Sequence, residues 1–145
     1  MYPKHVSKSL SIALEVFPQI YQKTRKNRGQ SCTTFHFSFL WQKNKRLVAI
    51  GTNSYIPNSR TLRVARKFGV QKFLTYKCLH SEIDAIQKCL GRIHLDRNVG
   101  LVNIRLNHLL ELQNSFPCSD CQIVLDGFGI KDIWFSTKSG LLIRR

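Results

Sequence analysis

The chain has 145 residues, 43% of them hydrophobic, which suits one core of ordinary size and points to a single domain over residues 1–145. No apolar run approaches the roughly 18 residues of a membrane-spanning helix, and the polar, basic start Met1-Tyr2-Pro3-Lys4 has no apolar region behind it, so neither a membrane location nor secretion is expected. Lysine and arginine total 23 against 8 acidic residues, a net charge of +15, and a field of that sign draws polyphosphates, nucleic acid above all.

Val6, Leu10, Ala13, Leu14, Phe17 and Tyr21 recur at helical spacing, so the first segment reads as an amphipathic helix that Pro18 should kink or end near Phe17. A basic loop follows from Lys23 to Gly29. Phe35, Phe37, Phe39 and Trp41 then alternate with Thr34, His36, Ser38 and Leu40, the pattern of a strand with one aromatic face. His36 reads as exposed or structurally hydrogen-bonded. After a polar turn, Leu47–Ile50 resumes as a second strand, paired with the first. The stretch from Gly51 to Leu79 is less regular, with a short basic helix expected over Thr61–Phe68. A further helix is expected from Ser81 to Leu90, burying Ile83, Ile86 and Leu90 and stopped by Gly91. Val99 to Leu106 reads as a central strand. Pro117 sits where prolines start helices, so Cys118–Phe128 reads as a helix, followed by strands at Ile130–Ser136 and Leu141–Ile143. The turn between those last strands is too short for a crossover, so they should form an antiparallel hairpin.

Two motifs stand at the starts of two of these helices: His80-Ser81-Glu82 and Pro117-Cys118-Ser119-Asp120-Cys121. One imidazole and two thiols make three zinc ligands, and such a site keeps a position for water, as catalytic sites do and structural ones normally do not. Cys118 and Cys121, three residues apart on a first helical turn, can reach one ion, and the helix N-terminus favours thiolate there. Glu82 is placed to move protons at that water, as base and then as acid within one turnover. A structural zinc site would need a fourth ligand, for which Cys78 is the candidate, and would have no use for Glu82. Five cysteines, an odd number that includes the C-x-x-C, fit metal binding in a cytoplasmic or other intracellular reducing compartment. Cys32 and Cys89 read as packing residues.

The pair H-x-E…P-C-x-x-C resembles the signature of the zinc-dependent cytidine and deoxycytidylate deaminase superfamily. The resemblance covers the whole chain by element order, with motif matching confined to Asn53, Cys78–Ile86 and Pro117–Cys121. It implies a cytidine deaminase-like three-layer α/β/α fold with a mixed five-stranded sheet. It also implies Zn²⁺ held by His80, Cys118 and Cys121, Glu82 as the catalytic proton carrier, and a substrate contact from Asn53; the backbone of Ser81, or that of Cys118, is a candidate to hydrogen-bond the reacting amine. Members often form dimers or tetramers, so a homo-oligomer is within expectation. A cytidine deaminase proper usually carries arginine and glutamine directly after its second cysteine. Here Gln122-Ile123 stands instead, which weakens a strict nucleoside reading.

Three functions follow in order. The first is hydrolytic deamination of cytosine to uracil in a free (deoxy)cytidine or (deoxy)cytidylate, a step of nucleotide metabolism. The second is deamination of cytosine or adenine in single-stranded DNA or RNA. The third is a nucleic-acid-binding module on the same fold without catalysis. Arg60, Arg63, Arg66 and Lys67 lie between Asn53 and His80 and are expected to border the pocket, meeting a 5′-phosphate or a nucleic-acid backbone. Tyr55, Phe68, Phe73 and Tyr76 are interleaved with them as candidate stacking rings.

Overall fold

Alternate aromatic residues of one strand organise half of the protein. The computed structural model describes residues 1–28, 34–53, 59–70 and 79–145. In β1 (Thr34–Gln42), Phe35, Phe37, Phe39 and Trp41 all point to the same side of the sheet and are buried. There they meet Val6, Ala13 and Phe17 of α1 (Lys4–Arg28) together with Val102, Ile104 and Leu106 of β3 (Val99–Asn107). Phe17 packs edge-on to Phe35 with centroids 5.0 Å apart, and the buried Trp41 indole donates to Ser9 Oγ at 2.9 Å.

Pro18 neither ends nor breaks α1, contrary to expectation: the helix continues through it to Arg28. The ring sits on the exposed side, so the carbonyl it leaves unpaired, that of the 40%-exposed Leu14, faces water.

The sheet is mixed, in the order β2-β1-β3-β5-β6. β1 pairs antiparallel with β2 (Arg46–Thr52) and with β3, and β3 runs parallel to β5 (Ile133–Ser136). β5 and β6 (Leu142–Arg144) form the expected antiparallel hairpin. A two-residue strand, β4 (Leu112–Gln113), adds a sixth member beside the end of β3, too short to announce itself by alternation.

Among the described residues the second face of the sheet carries three helices: α2 (Ser59–Phe68), α3 (Ser81–Cys89) and α4 (Ser119–Gly127). Leu40, Leu101 and Ile133 from the strands meet Val64, Ile83, Ile86, Val124 and Leu125 from these helices, which completes the α/β/α layering. Leu90 was expected inside. It is instead 43% exposed, because α3 ends one residue earlier and Gly91 turns the chain away with φ of 79°. Among the described residues no helix is long and apolar enough to cross a membrane.

Candidate metal centre

Both expected motifs fall at helix N-termini. Cys118 is the N-cap of α4, in an extended conformation, and its sulfur accepts from the Cys121 backbone N–H at 3.4 Å. His80 is the N-cap of α3. Its Nδ1 lies 3.6 Å from Cys118 Sγ and 3.4 Å from Cys121 Sγ, and the three ligand atoms all lie within 4.8 Å of one another. Zinc bonds of about 2.0–2.1 Å to nitrogen and 2.3 Å to sulfur, held tetrahedrally, separate the two atoms by roughly 3.6 Å. The donor set and its spacing therefore fit Zn²⁺.

The two sulfurs are electrostatically unlike. The hydrogen bond with Cys121 draws the Cys118 thiol down to about 3 against the opposing effect of burial, with His80 adding to the shift. The same contact, with burial, pushes Cys121 well up. The contact therefore favours thiolate on Cys118 over thiolate on Cys121.

Glu82, on the first turn of α3, is buried against this cluster, and the charges of His80 and Cys118 act on its carboxyl. Asn103 of β3 donates from Nδ2 to Glu82 Oε1 at 2.8 Å and to the Ser115 carbonyl at 3.1 Å. Ser38 of β1, which stands opposite Asn103 in the ladder, donates to Asn103 Oδ1 at 2.6 Å. With its oxygen and both amide hydrogens engaged, the Asn103 side chain has one orientation. The Ser81 hydroxyl lies 2.8 Å from that of Ser38 and 3.3 Å from Glu82 Oε2. Burial raises the Glu82 carboxyl, while its own backbone N–H and Asn103 act in the opposite sense. Sequence reasoning passed over Asn103. The available signal is a single amide inside the apolar run Leu101-Val102-Asn103-Ile104.

Asn53, just past β2, accepts the His36 backbone N–H on Oδ1 at 3.0 Å, and its own N–H reaches the His36 carbonyl at 3.4 Å. It thus extends the β1–β2 pairing, with its oxygen spent on backbone. His36 is only partly buried, and it lies on the same face of β1 as Ser38, beside the metal cluster. Burial, followed by the charges of Arg105 and His80, holds its imidazole at about 4. A histidine whose folded value lies below the ordinary 6.5 contributes stability that is complete above pH 6.5 and lost as pH falls toward 4. The melting temperature is therefore expected to fall over that window, and to fall less steeply in His36→Gln. Parallel curves for the two proteins would remove His36 from the account.

Arg63 and Lys67 of α2 stand away from the metal ligands. Arg63 lines a cavity with Val64, Gln87, Lys88, Leu90 and Arg92, around the C-terminal end of α3. At about 1.5 Å per residue, that end is ~10 Å along the axis from Ser81. Lys67 lies over the rings of Phe68 and Phe128, with its Nζ 5.6 and 5.0 Å from their centroids, at the far end of α4 from Cys118. Phe68 is a packing residue, edge-on to Phe128 at 5.0 Å, rather than a free stacking surface. Arg66 is exposed on α2. The Arg60 side chain and Cys32, Tyr55, Phe73, Tyr76 and Cys78 lie outside the described residues. Cys89 is buried as expected, and burial pushes its thiol up to about 11.

A three-layer α/β/α fold that brings a histidine and two cysteines together at two helix N-termini defines a zinc-dependent hydrolase of the deaminase class. The family model described as the cytidine and deoxycytidylate deaminase zinc-binding region matches residues 13–137, and the chain belongs to that family. Among curated proteins none matches the sequence closely enough to count as a relative.

Proposed function

We propose that the protein deaminates cytosine to uracil hydrolytically in a free (deoxy)cytidine or (deoxy)cytidylate, releasing ammonia. The observation that carries this reading is a buried carboxylate, Glu82, set against a three-ligand metal site. Bound zinc would supply a Lewis acid that lowers the pKa of water to the neutral range. Glu82 then accepts a proton from that water and passes it to N3 of the ring. As C4 gains oxygen and loses nitrogen, Glu82 carries the second proton to the departing ammonia. Asn103 and Ser81 hold the carboxylate against rotation, and burial of the site keeps bulk water from competing.

Deamination within single-stranded nucleic acid is the second reading, supported by the net charge of +15. Arg63 and Lys67 lend it little, given where they sit. Zinc-loaded protein incubated with cytidine, deoxycytidine, dCMP, adenosine and single-stranded DNA and RNA separates the two. Ammonia and uracil products are expected from the free cytosine compounds. Turnover confined to oligonucleotides would overturn the first reading in favour of the second.

A further inference from the structure

Among the described residues, two buried side-chain polar atoms have no hydrogen-bond partner, and one of them is Arg105 Nε. Arg105 belongs to β3 and stands opposite His36 in the β1–β3 ladder. Strand alternation puts Leu101, Asn103 and Arg105 on one face, the face that also presents His36 and Ser38 to the metal centre. Among the described residues the guanidinium makes only long contacts to neutral groups, 3.4 Å to the Asn114 carbonyl and 3.3 Å to Thr34 Oγ1. The two ion pairs found among the described residues, Lys88–Asp84 and Arg144–Asp132, leave it out. A partly buried guanidinium without a counter-charge is unusual, and an unsatisfied donor beside a reaction centre calls for a ligand.

We propose that Arg105, with His36 beside it, forms a subsite for a phosphate group carried by the substrate. Arg105 follows Asn103 by two residues, about 7 Å along the strand. That is close to the reach of the sugar between a pyrimidine ring and its phosphate, so a base whose N3 meets Glu82 directs its phosphate toward Arg105. The planar guanidinium of arginine matches the oxygens of a phosphate, and no carboxylate among the described residues claims it. The inference rests on the deaminase reading of the same site and narrows it to phosphorylated substrates. It moves the phosphate contact from α2 to the central strand.

Calorimetric binding to zinc-loaded Glu82→Gln protein, whose slowed turnover leaves most of the substrate intact during a titration, tests the proposal. dCMP is expected to bind about 10- to 100-fold more tightly than deoxycytidine, and adding Arg105→Gln should erase the difference. Lys138→Gln, an exposed change in the β5–β6 turn, should keep it. A short oligodeoxynucleotide with one cytosine, run in parallel, tells a phosphodiester from a terminal phosphate; a gain for either ligand that depends on Arg105 supports the subsite. Equal affinity for dCMP and deoxycytidine overturns it. So does equal weakening of both by Arg105→Gln, which would make the arginine a mere clamp between Thr34 and Asn114. Inorganic phosphate offers a readout independent of turnover. It should raise the melting temperature of the zinc-loaded wild type and not of Arg105→Gln, so a protein inert toward every substrate would defeat the deaminase reading while leaving the phosphate result distinct.

Discussion

Glu82→Gln is expected to lower turnover by about 10²- to 10⁴-fold while the protein keeps its full zinc content. The substitution preserves shape and most contacts: a glutamine oxygen can still accept from Asn103 Nδ2, and its amide can meet the Ser81 hydroxyl. What it removes is the ability to take up a proton and give it back. Metal analysis together with single-turnover kinetics checks both halves, and a variant that loses zinc in step with activity would show that Glu82 acts through the metal site's structure. Stability should move the other way. Burial raises the carboxyl of Glu82 in the fold, so its ionisation disfavours the native state as pH rises through that raised value. Glutamine cannot ionise. The chelated, metal-free variant is therefore expected to melt above the chelated wild type at neutral and higher pH, with the gap closing as the solution is acidified. Such opposition between stability and activity is what a carboxylate kept for chemistry rather than for packing produces.

The parts of this protein legible in its sequence are those in which one segment carries its own signal. Phe35, Phe37, Phe39 and Trp41 announce a half-buried strand by alternation alone, and the strand lies where they put it. His80, Cys118 and Cys121 are readable because their chemistry narrows the alternatives and because the start of a helix fixes where each points. Asn103 was unreadable for the opposite reason. Its role depends on facing Ser38 across the ladder and Glu82 across the layer, and register between strands is set by the assembled sheet. His36 belongs with it, since nothing within Phe35-His36-Phe37 tells which strand will lie beside the imidazole. The basic residues of α2 show the limit of sequence neighbourhood. They lie between Asn53 and His80 along the chain, yet Arg63 and Lys67 stand by the C-terminal ends of α3 and α4, whereas the metal ligands sit at the N-terminal ends. Pro18 shows that a helix breaker is decided by its surroundings: on the wet side of α1, water takes the role of the missing donor.

Gly51→Ala is expected to damage fold and metal site together. A Cβ at position 51 would collide with the Ser81 carbonyl oxygen and lie 2.5 Å from the Ala85 backbone nitrogen and 2.8 Å from Ala85 Cβ. None of these is the free end of a flexible side chain, so relief requires β2 and α3 to part. Two contacts resist the separation: Asp84 accepts the Thr52 N–H at 3.0 Å, and Lys88 donates to the Ile50 carbonyl at 2.8 Å. The clash should cost about 1–3 kcal/mol or more, as overpacking does where the neighbours are backbone. Because the first turn of α3 carries Ser81 and Glu82 and follows His80 directly, the displacement reaches the ligand set and the proton carrier at once. Gly140→Ala separates this clash from ordinary glycine strain: Gly140, unlike the extended Gly51, is in the left-handed region, with φ of 81°, but nothing lies within 4 Å of its added carbon. It should lose about 1–2 kcal/mol and bind zinc as the wild type does. Melting curves with and without zinc, run on both variants, therefore distinguish a loss of backbone freedom from a displaced helix. Zinc affinity unchanged in Gly51→Ala would mean that α3 can tilt without moving His80, and the close approach of β2 would then serve packing alone.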